Sequence, residues 1–214
     1  LKFSFEKLKK KTNFVIAWPN LLNLKSSINH SDFKIINIYY LFSKINFSKK
    51  NNKRNVFKKI NKKLIQNLKF DQKNHLFYRD YQFMDWRYNK YKKNVYFYLD
   101  EKKYKNFIFQ KKITKNKVYY LIIDYYGKND NYIAELKSLI KVLKHKKINF
   151  QLFISSKNRK LNSFLLKNKI LRTKNCFFVG LYKLNKSNYL KKQIEKKIKS
   201  DIKISDTDVF IETH

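Results

Sequence analysis

Apolar residues in this chain fall into alternating helical and strand-like runs, and one succession of runs occurs twice. The first copy reads FEKLKKKTNFVIAWPNLLNLKSSINHSDFKIINIYYLF. The second reads AELKSLIKVLKHKKINFQLFISSKNRKLNSFLLKNKILRTKNCFFVGLYKL. In each, a basic amphipathic helix precedes an Asn-Phe pair that opens a hydrophobic strand. A short helix follows, and an aromatic strand closes the unit. Asn13-Phe14 and Asn149-Phe150 are the matched anchors. FVIAW (Phe14 to Trp18) is a continuous apolar run, the mark of a strand covered on both faces, and Pro19 stops it. Leu21, Leu24 and Ile28 follow a helical period, and IINIYYLF (Ile35 to Phe42) is the closing strand.

The second copy has more chain in front of it. Tyr78 to Asn89 (YRDYQFMDWRYN) predicts an aromatic helix-turn. YFYLDE, YKNFIFQKKI and KVYYLIIDYYG predict three consecutive strands, with turns at Asp100–Lys103 and Thr114–Lys117. Residues 130–147 predict a long helix with Ile133, Leu136, Leu139, Ile140 and Leu143 on one face. The order is therefore β-β-β-α-β-α-β, an antiparallel meander leading into a βαβ crossover, and the class is α/β (α+β) with a mixed sheet flanked by helices. Three segments result: 1–47 as a partial unit, 48–75 as a basic connector, and 76–214 as the fuller unit. In the connector Val56, Ile60, Leu64 and Leu68 recur at four-residue steps, so part of it can form an amphipathic helix.

Hydrophobic residues make up 43% of the 214 and aromatics 17%, enough for a core despite the charge. No apolar run approaches the roughly 20 residues of a membrane helix, and the start lacks the apolar stretch of a signal peptide. The cytosol is the expected compartment. The chain begins at Leu1, which points to a non-standard start codon or to a chain that opens inside a domain. Net charge is +36, from 51 basic against 15 acidic residues. Such a balance suits a polyanion, and Lys49, Lys50, Lys53, Arg54, Lys58, Lys59, Lys62 and Lys63 would form the arm of a nucleic-acid-binding protein in an organellar matrix. It equally suits AT-rich coding drift, because the cations are nearly all Lys and phosphate sites favour the Arg fork. The four histidines are scattered, Cys176 is the sole cysteine, and no metal site is expected. Asp124 interrupts the most apolar strand. A desolvated carboxylate there would suit a general base, whereas one at the strand end would be solvated.

Arg79-Asp80 followed by Asp85-Trp86-Arg87-Tyr88, Pro19-Asn20 after a strand, and the tail Ser205-Asp206-Thr207-Asp208-Val209-Phe210 resemble three motifs of one family. That family is the GNAT superfamily of acyl-CoA-dependent N-acyltransferases, in the form found with surface-polysaccharide genes. The partial repeat is similar to tandem GNAT halves such as the Fem-type aminoacyl transferases. The resemblance implies acetyl-CoA or another acyl-CoA as co-substrate and a small-molecule amine as acceptor, an amino sugar or cell-envelope precursor. It implies a possible homodimer, and an inactive scaffold is a further reading.

By the same resemblance, Asn20, Asn158, Gly127 and Lys128 would contact the acyl-CoA. Asn20 and Asn158 would alternatively be helix caps. Asp80, Trp86 and Arg87 would line the acceptor pocket, with Asp85 or Asp124 as general base; a packed aromatic corner is the other reading. Asp206 and Asp208 would reach back toward the acceptor or lie in solvent. The stretch Gly127-Lys128-Asn129-Asp130-Asn131 has one glycine where the family's pyrophosphate turn has two. Neither 21–28 nor 161–166 contains the tyrosine that often serves the family as general acid.

Overall fold

In the computed structural model, described residues are 14–17, 28, 33–45, 56–68, 80–90, 95–114, 117–127 and 131–183. Their strands are β1 (Phe14–Ala17), β2 (Phe33–Lys44), β3 (Phe57–Lys59), β4 (Tyr96–Leu99), β5 (Phe107–Thr114), β6 (Lys117–Tyr125), β7 (Phe150–Ser155) and β8 (Leu171–Lys183). All eight join one sheet in the order β1-β8-β2-β7-β6-β5-β4-β3. Among the described residues, only the β6–β7 pair is parallel. The helices are α1 (Lys62–Asn67), α2 (Tyr81–Met84), which continues as a π-helix over Asp85–Lys90, α3 (Tyr132–His145) and α4 (Arg159–Lys167).

Alternation along the strands divides the core in two. One face of the sheet presents Leu41, Tyr98, Ile108, Leu121, Phe153 and Phe177 to Ile65, Met84 and Tyr88 of α1, α2 and the π-helix. The opposite face presents Phe42, Leu99, Phe109, Ile122, Leu152 and Ile154 to Leu136, Leu139, Ile140 and Leu143 of α3 and to Leu161 and Leu165 of α4. The long helix thus buries the face its 3.6-residue period predicts. The amphipathic helix expected within the connector is present over part of the run from Val56 to Leu68. Residues 57–59 pair with β4, and only Lys62–Asn67 is helical, started by Asn61, whose Oδ1 accepts from the Leu64 N–H at 2.9 Å. Edge pairing takes the first half of the run and the cap fixes where the helix begins.

The two copies of the repeat are woven together. Phe14 of β1 pairs with Lys183 of β8, and its counterpart Phe150 of β7 pairs with Lys44 of β2. Each unit's closing strand therefore lies beside the other unit's opening strand. The two closing strands, β2 and β8, meet antiparallel in the middle. There Ile38 faces Phe178 and Tyr39 faces Phe177, and the flanking pairs Asn37–Val179 and Tyr40–Cys176 exchange under the same rotation. A local pseudo-two-fold axis passes between these central pairs. Beside it the Tyr39 and Phe177 rings stack with centroids 4.9 Å apart.

Helices α3 and α4 end alike. In α3 the Ile148 N–H reaches back to the Leu143 carbonyl at 2.9 Å, and in α4 the Ile170 N–H reaches Leu165 at 3.0 Å. This six-to-one closure places the intervening residue in the left-handed region, and here it is lysine: Lys147 at φ 53° and Lys169 at φ 57°. Glycine is the residue that adopts this conformation without steric cost. Lys147→Gly and Lys169→Gly should each stabilise the fold by roughly 0.5–1 kcal/mol, read as a raised urea midpoint at constant m-value.

Candidate functional site

Strands β6 and β7 pair through Tyr120–Phe150, Leu121–Gln151 and Ile122–Leu152. Beyond that, β6 continues to Tyr125 against β5 alone, and β7 continues to Ser155 against β2 alone, among the described residues. The two limbs part toward their C-terminal ends, where α3 and α4 begin. A bulge sits on the β6 limb: Ile108 faces Asp124 and Phe109 faces Ile122, so Ile123 is the extra residue. Bulges re-aim side chains. This one places Asp124 opposite Ile108, on the side of the sheet that α2 and the π-helix cover.

Asp124 is 3% exposed, so it is a desolvated carboxyl and not a solvated strand end. Its Oδ2 accepts from the Tyr88 hydroxyl at 2.6 Å, and its Oδ1 accepts from the Tyr125 N–H at 2.8 Å. The Tyr126 hydroxyl donates to that of Tyr88 at 3.0 Å. Three buried groups thus form a chain, Tyr126 to Tyr88 to Asp124. The rings of Tyr96 and Tyr126 hold Tyr88 edge-on, at 5.1 and 6.0 Å. Tyr132, the first residue of α3, has its phenol pushed above the ordinary range by burial and then by the Asp124 charge. Burial and the Glu135 carboxylate raise Tyr125 likewise. These phenols stay protonated and can donate at neutral pH.

The Asp-Trp-Arg-Tyr motif is delivered by the π-helix, a wide turn that often marks a functional position. Asp80 caps α2, accepting from the Phe83 N–H at 2.8 Å. Asp85 is buried, and its Oδ1 accepts from Asn89 at 2.9 Å. Arg87 is buried, whereas Trp86 is 47% exposed, with its ring tilted against Phe83 at 6.0 Å. The motif reaches Asp124 through Tyr88. Sequence reasoning passed over Tyr88 and Tyr126. The available signal was a tyrosine closing the same motif that supplied Asp85, Trp86 and Arg87.

At the end of the β7 limb, Asn158 caps α4, its Oδ1 accepting from the Leu161 N–H at 3.1 Å. Strand β2 forms the adjoining wall. Ser155 Oγ bonds Asn37 Oδ1 at 3.0 Å, and Lys157 Nζ donates to the Ile36 carbonyl at 2.5 Å. Gly127 follows β6 with an ordinary backbone, and its need for glycine is one of space. A Cβ there would lie 2.9 Å from Cε2 of Tyr125 and closer still to the phenol tip. Tyr125 is 1% exposed and has little room to yield. Gly127→Ala should cost about 1–3 kcal/mol in chemical denaturation, as overpacking does.

Asn20, Lys128, Asp206 and Asp208 lie outside the described residues, as do Lys49, Lys50, Lys53 and Arg54. Of the remaining basic arm, Lys58 pairs with Asp100 at 2.6 Å, and Lys59, Lys62 and Lys63 are exposed. Among the described residues there is no cluster of three potential metal ligands, and no helix is long and apolar enough to cross a membrane.

No protein-family model and no curated protein matches the chain. Solved structures do. A GCN5-related N-acetyltransferase from Anabaena variabilis superposes with a TM-score of 0.51 at 10% identity, covering 86% of this chain and 49% of that one. A conserved protein of unknown function from Enterococcus faecalis, described as a probable N-acyltransferase, gives a TM-score of 0.50 at 12% identity, covering 86% and 48%. The chain spans about half the length of these structures. Its mixed, mostly antiparallel sheet with few helices is a GNAT-like α+β fold.

Proposed function

We propose that this chain forms part of an N-acyltransferase that moves an acyl group from acyl-CoA to a primary amine. The observation that carries the reading is the parallel β6–β7 pair that parts after Ile122 and Leu152, with buried Asp124 on one limb. The acyl thioester would lie between the limbs. The N-terminus of α3, just past Gly127 and Lys128, would face the pyrophosphate, since unpaired helix N–H groups favour anions. Asn158 and Asn20 would contact the same co-substrate. The neutral amine attacks the thioester carbonyl, a C–N bond forms, and the C–S bond breaks to release the thiolate. Asp124 takes the amine proton, directly or through a water, and Tyr88 holds the carboxylate in place. Asp80, Asp85 and Arg87 would shape the acceptor side, where exposed Trp86 offers a flat ring to a sugar. An amino sugar or cell-envelope precursor fits that class.

The test is equilibrium dialysis with acetyl-CoA, followed by a screen of amino sugars for acetyl transfer. Saturable binding and transfer support the proposal. An absence of binding, together with tight and steeply salt-dependent RNA binding, would replace it with the polyanion reading.

A further inference from the structure

One end of the sheet gathers cations and exposed aliphatic side chains. Strands β6 and β7 run parallel, β2 is antiparallel to β7, and β8 is antiparallel to β2. The starts of β6, β7 and β8 and the finishes of β5 and β2 therefore share one end, opposite the end where Asp124 lies. Helix α3 leads into β7 and α4 into β8, so both helices finish there as well. Contacts draw these finishes together. Lys144 Nζ donates to Asn168 Oδ1 at 3.1 Å, and Lys44 Nζ donates to the Lys169 carbonyl at 3.4 Å.

Two features set this end apart. The first is charge without counter-charge. Residues 43–45, 111–113, 117–118, 144–150 and 166–174 include no Asp or Glu. Among the described residues Glu101 reaches in to pair with Lys146 at 3.1 Å, while Lys147, Lys167, Lys169, Arg172 and Lys174 stand exposed. The second is apolar surface. Ile113 and Leu171, at 69% and 68%, are the most exposed large hydrophobics of the described residues, and Leu166 and Ile45 lie at the same end. Leu171 pairs with Ser43, two residues before Ile45. Single exposed aliphatics are ordinary, whereas several gathered at one place mark an interaction surface.

Coding drift accounts for lysine in general but not for two of these. Lys147 and Lys169 occupy the left-handed positions that close α3 and α4. Asparagine adopts that conformation more readily and is abundant in this chain. Lysine at both places keeps a cation at a cost to the backbone, and strain of this kind collects where function holds it.

We propose that this end of the sheet is a peripheral docking surface for a bilayer containing anionic lipid. Lys147, Lys169 and Arg172 meet the headgroup phosphates, and Leu166 and Leu171 enter the boundary with the acyl chains. Aliphatic side chains among cations suit that partner. Single-stranded nucleic acid calls instead for rings on which bases stack. The exposed large hydrophobics at this end are aliphatic, and the Tyr40 ring is occupied by the Arg172 guanidinium, 4.6 Å from its centroid. The Asp124 end then faces away from the bilayer. This inference uses no part of the proposed chemistry.

Vesicle flotation tests it on the 214-residue chain, with phosphatidylcholine alone or mixed with phosphatidylserine. The parent should float with the mixed vesicles and not with the neutral ones. Lys147→Gly combined with Lys169→Gly removes two cations while relieving the backbone, so a loss of binding here does not come from a loss of fold. Affinity for the mixed vesicles should fall about thirtyfold, because each cation near an anionic surface contributes about fivefold. Leu166→Ser combined with Leu171→Ser should weaken it at least about tenfold. Removing two exposed cations at the opposite end, by Arg159→Gln with Lys160→Gln, should change it less than about threefold. No flotation with the mixed vesicles, or an equal loss from the Arg159 and Lys160 pair, would overturn the proposal. So would single-stranded RNA that binds more tightly than the vesicles and loses affinity with the Lys147 and Lys169 pair, which would make nucleic acid the occupant.

Discussion

A polypeptide lacking residues 1–47 is expected not to fold. The sequence suggests that 76–214 is a near-complete unit, and a boundary placed at 47 would be a natural site for trimming. The sheet argues otherwise, because β2 stands between β7 and β8, which have no pairing with each other. Removing β2 strips hydrogen-bonding partners from both strands and takes Ile36, Tyr39, Leu41 and Phe42 out of the core, where each is at most 7% exposed. Burial of a large apolar side chain contributes about 1.5–3 kcal/mol, so four of them rival the ~5–15 kcal/mol by which a domain is stable. The truncated chain should lack a near-ultraviolet circular dichroism signal and bind a hydrophobic dye. Adding residues 1–47 in trans should restore part of the signal. A cooperative thermal transition in the truncated chain alone would defeat the expectation.

Asp124 carries the second large effect, and two substitutions separate its roles. Asp124→Ala leaves the Tyr88 hydroxyl and the Tyr125 N–H without their acceptor in a buried place. Each orphaned group costs about 1–3 kcal/mol, so the total loss should be about 2–6 kcal/mol in urea denaturation. Asp124→Asn keeps the shape and a carbonyl oxygen for Tyr88 but turns its NH2 toward the Tyr125 N–H, so it should cost about 1–3 kcal/mol, less than the alanine. It cannot take a proton. Under the proposed chemistry its transfer rate falls at least about a hundredfold while acetyl-CoA affinity is retained. Transfer within about tenfold of the parent would remove Asp124 from the base role and leave it a structural anchor.

Most elements could be read from the chain because their signals are local. Leu136, Leu139, Ile140 and Leu143 fall on one helical face, and the apolar interior of β6 marks a buried strand. Pairing order is a different kind of information. IINIYYLF and CFFVGLYKL each read as a closing strand, and nothing within either shows that they lie side by side. Their apolar character on both faces does say that they are interior, and here interior meant between strands of the other unit. The site was half legible for the same reason. Asp124 stood out as a charge in an apolar run. Its meeting with Tyr88 depends on a bulge at Ile123 and on a π-helical turn, neither of which follows a 2.0- or 3.6-residue period. Asn158 and Asp80 show how a polar residue at a helix start can satisfy the cap first, whatever else it does.

The pairing of β2 with β8 ties the two repeats to each other. Each is completed by the other's last strand, so neither can change along this seam independently. Tyr39 and Phe177 stack across the β2–β8 seam, and a change of size at one must be answered at the other. A chimera that swaps one unit for a foreign homologue would bring an unmatched surface to this seam, and swapping both together would not. The seam also backs the β7 limb, so a mismatch there would reach the parting of β6 and β7 without altering any residue that lines it.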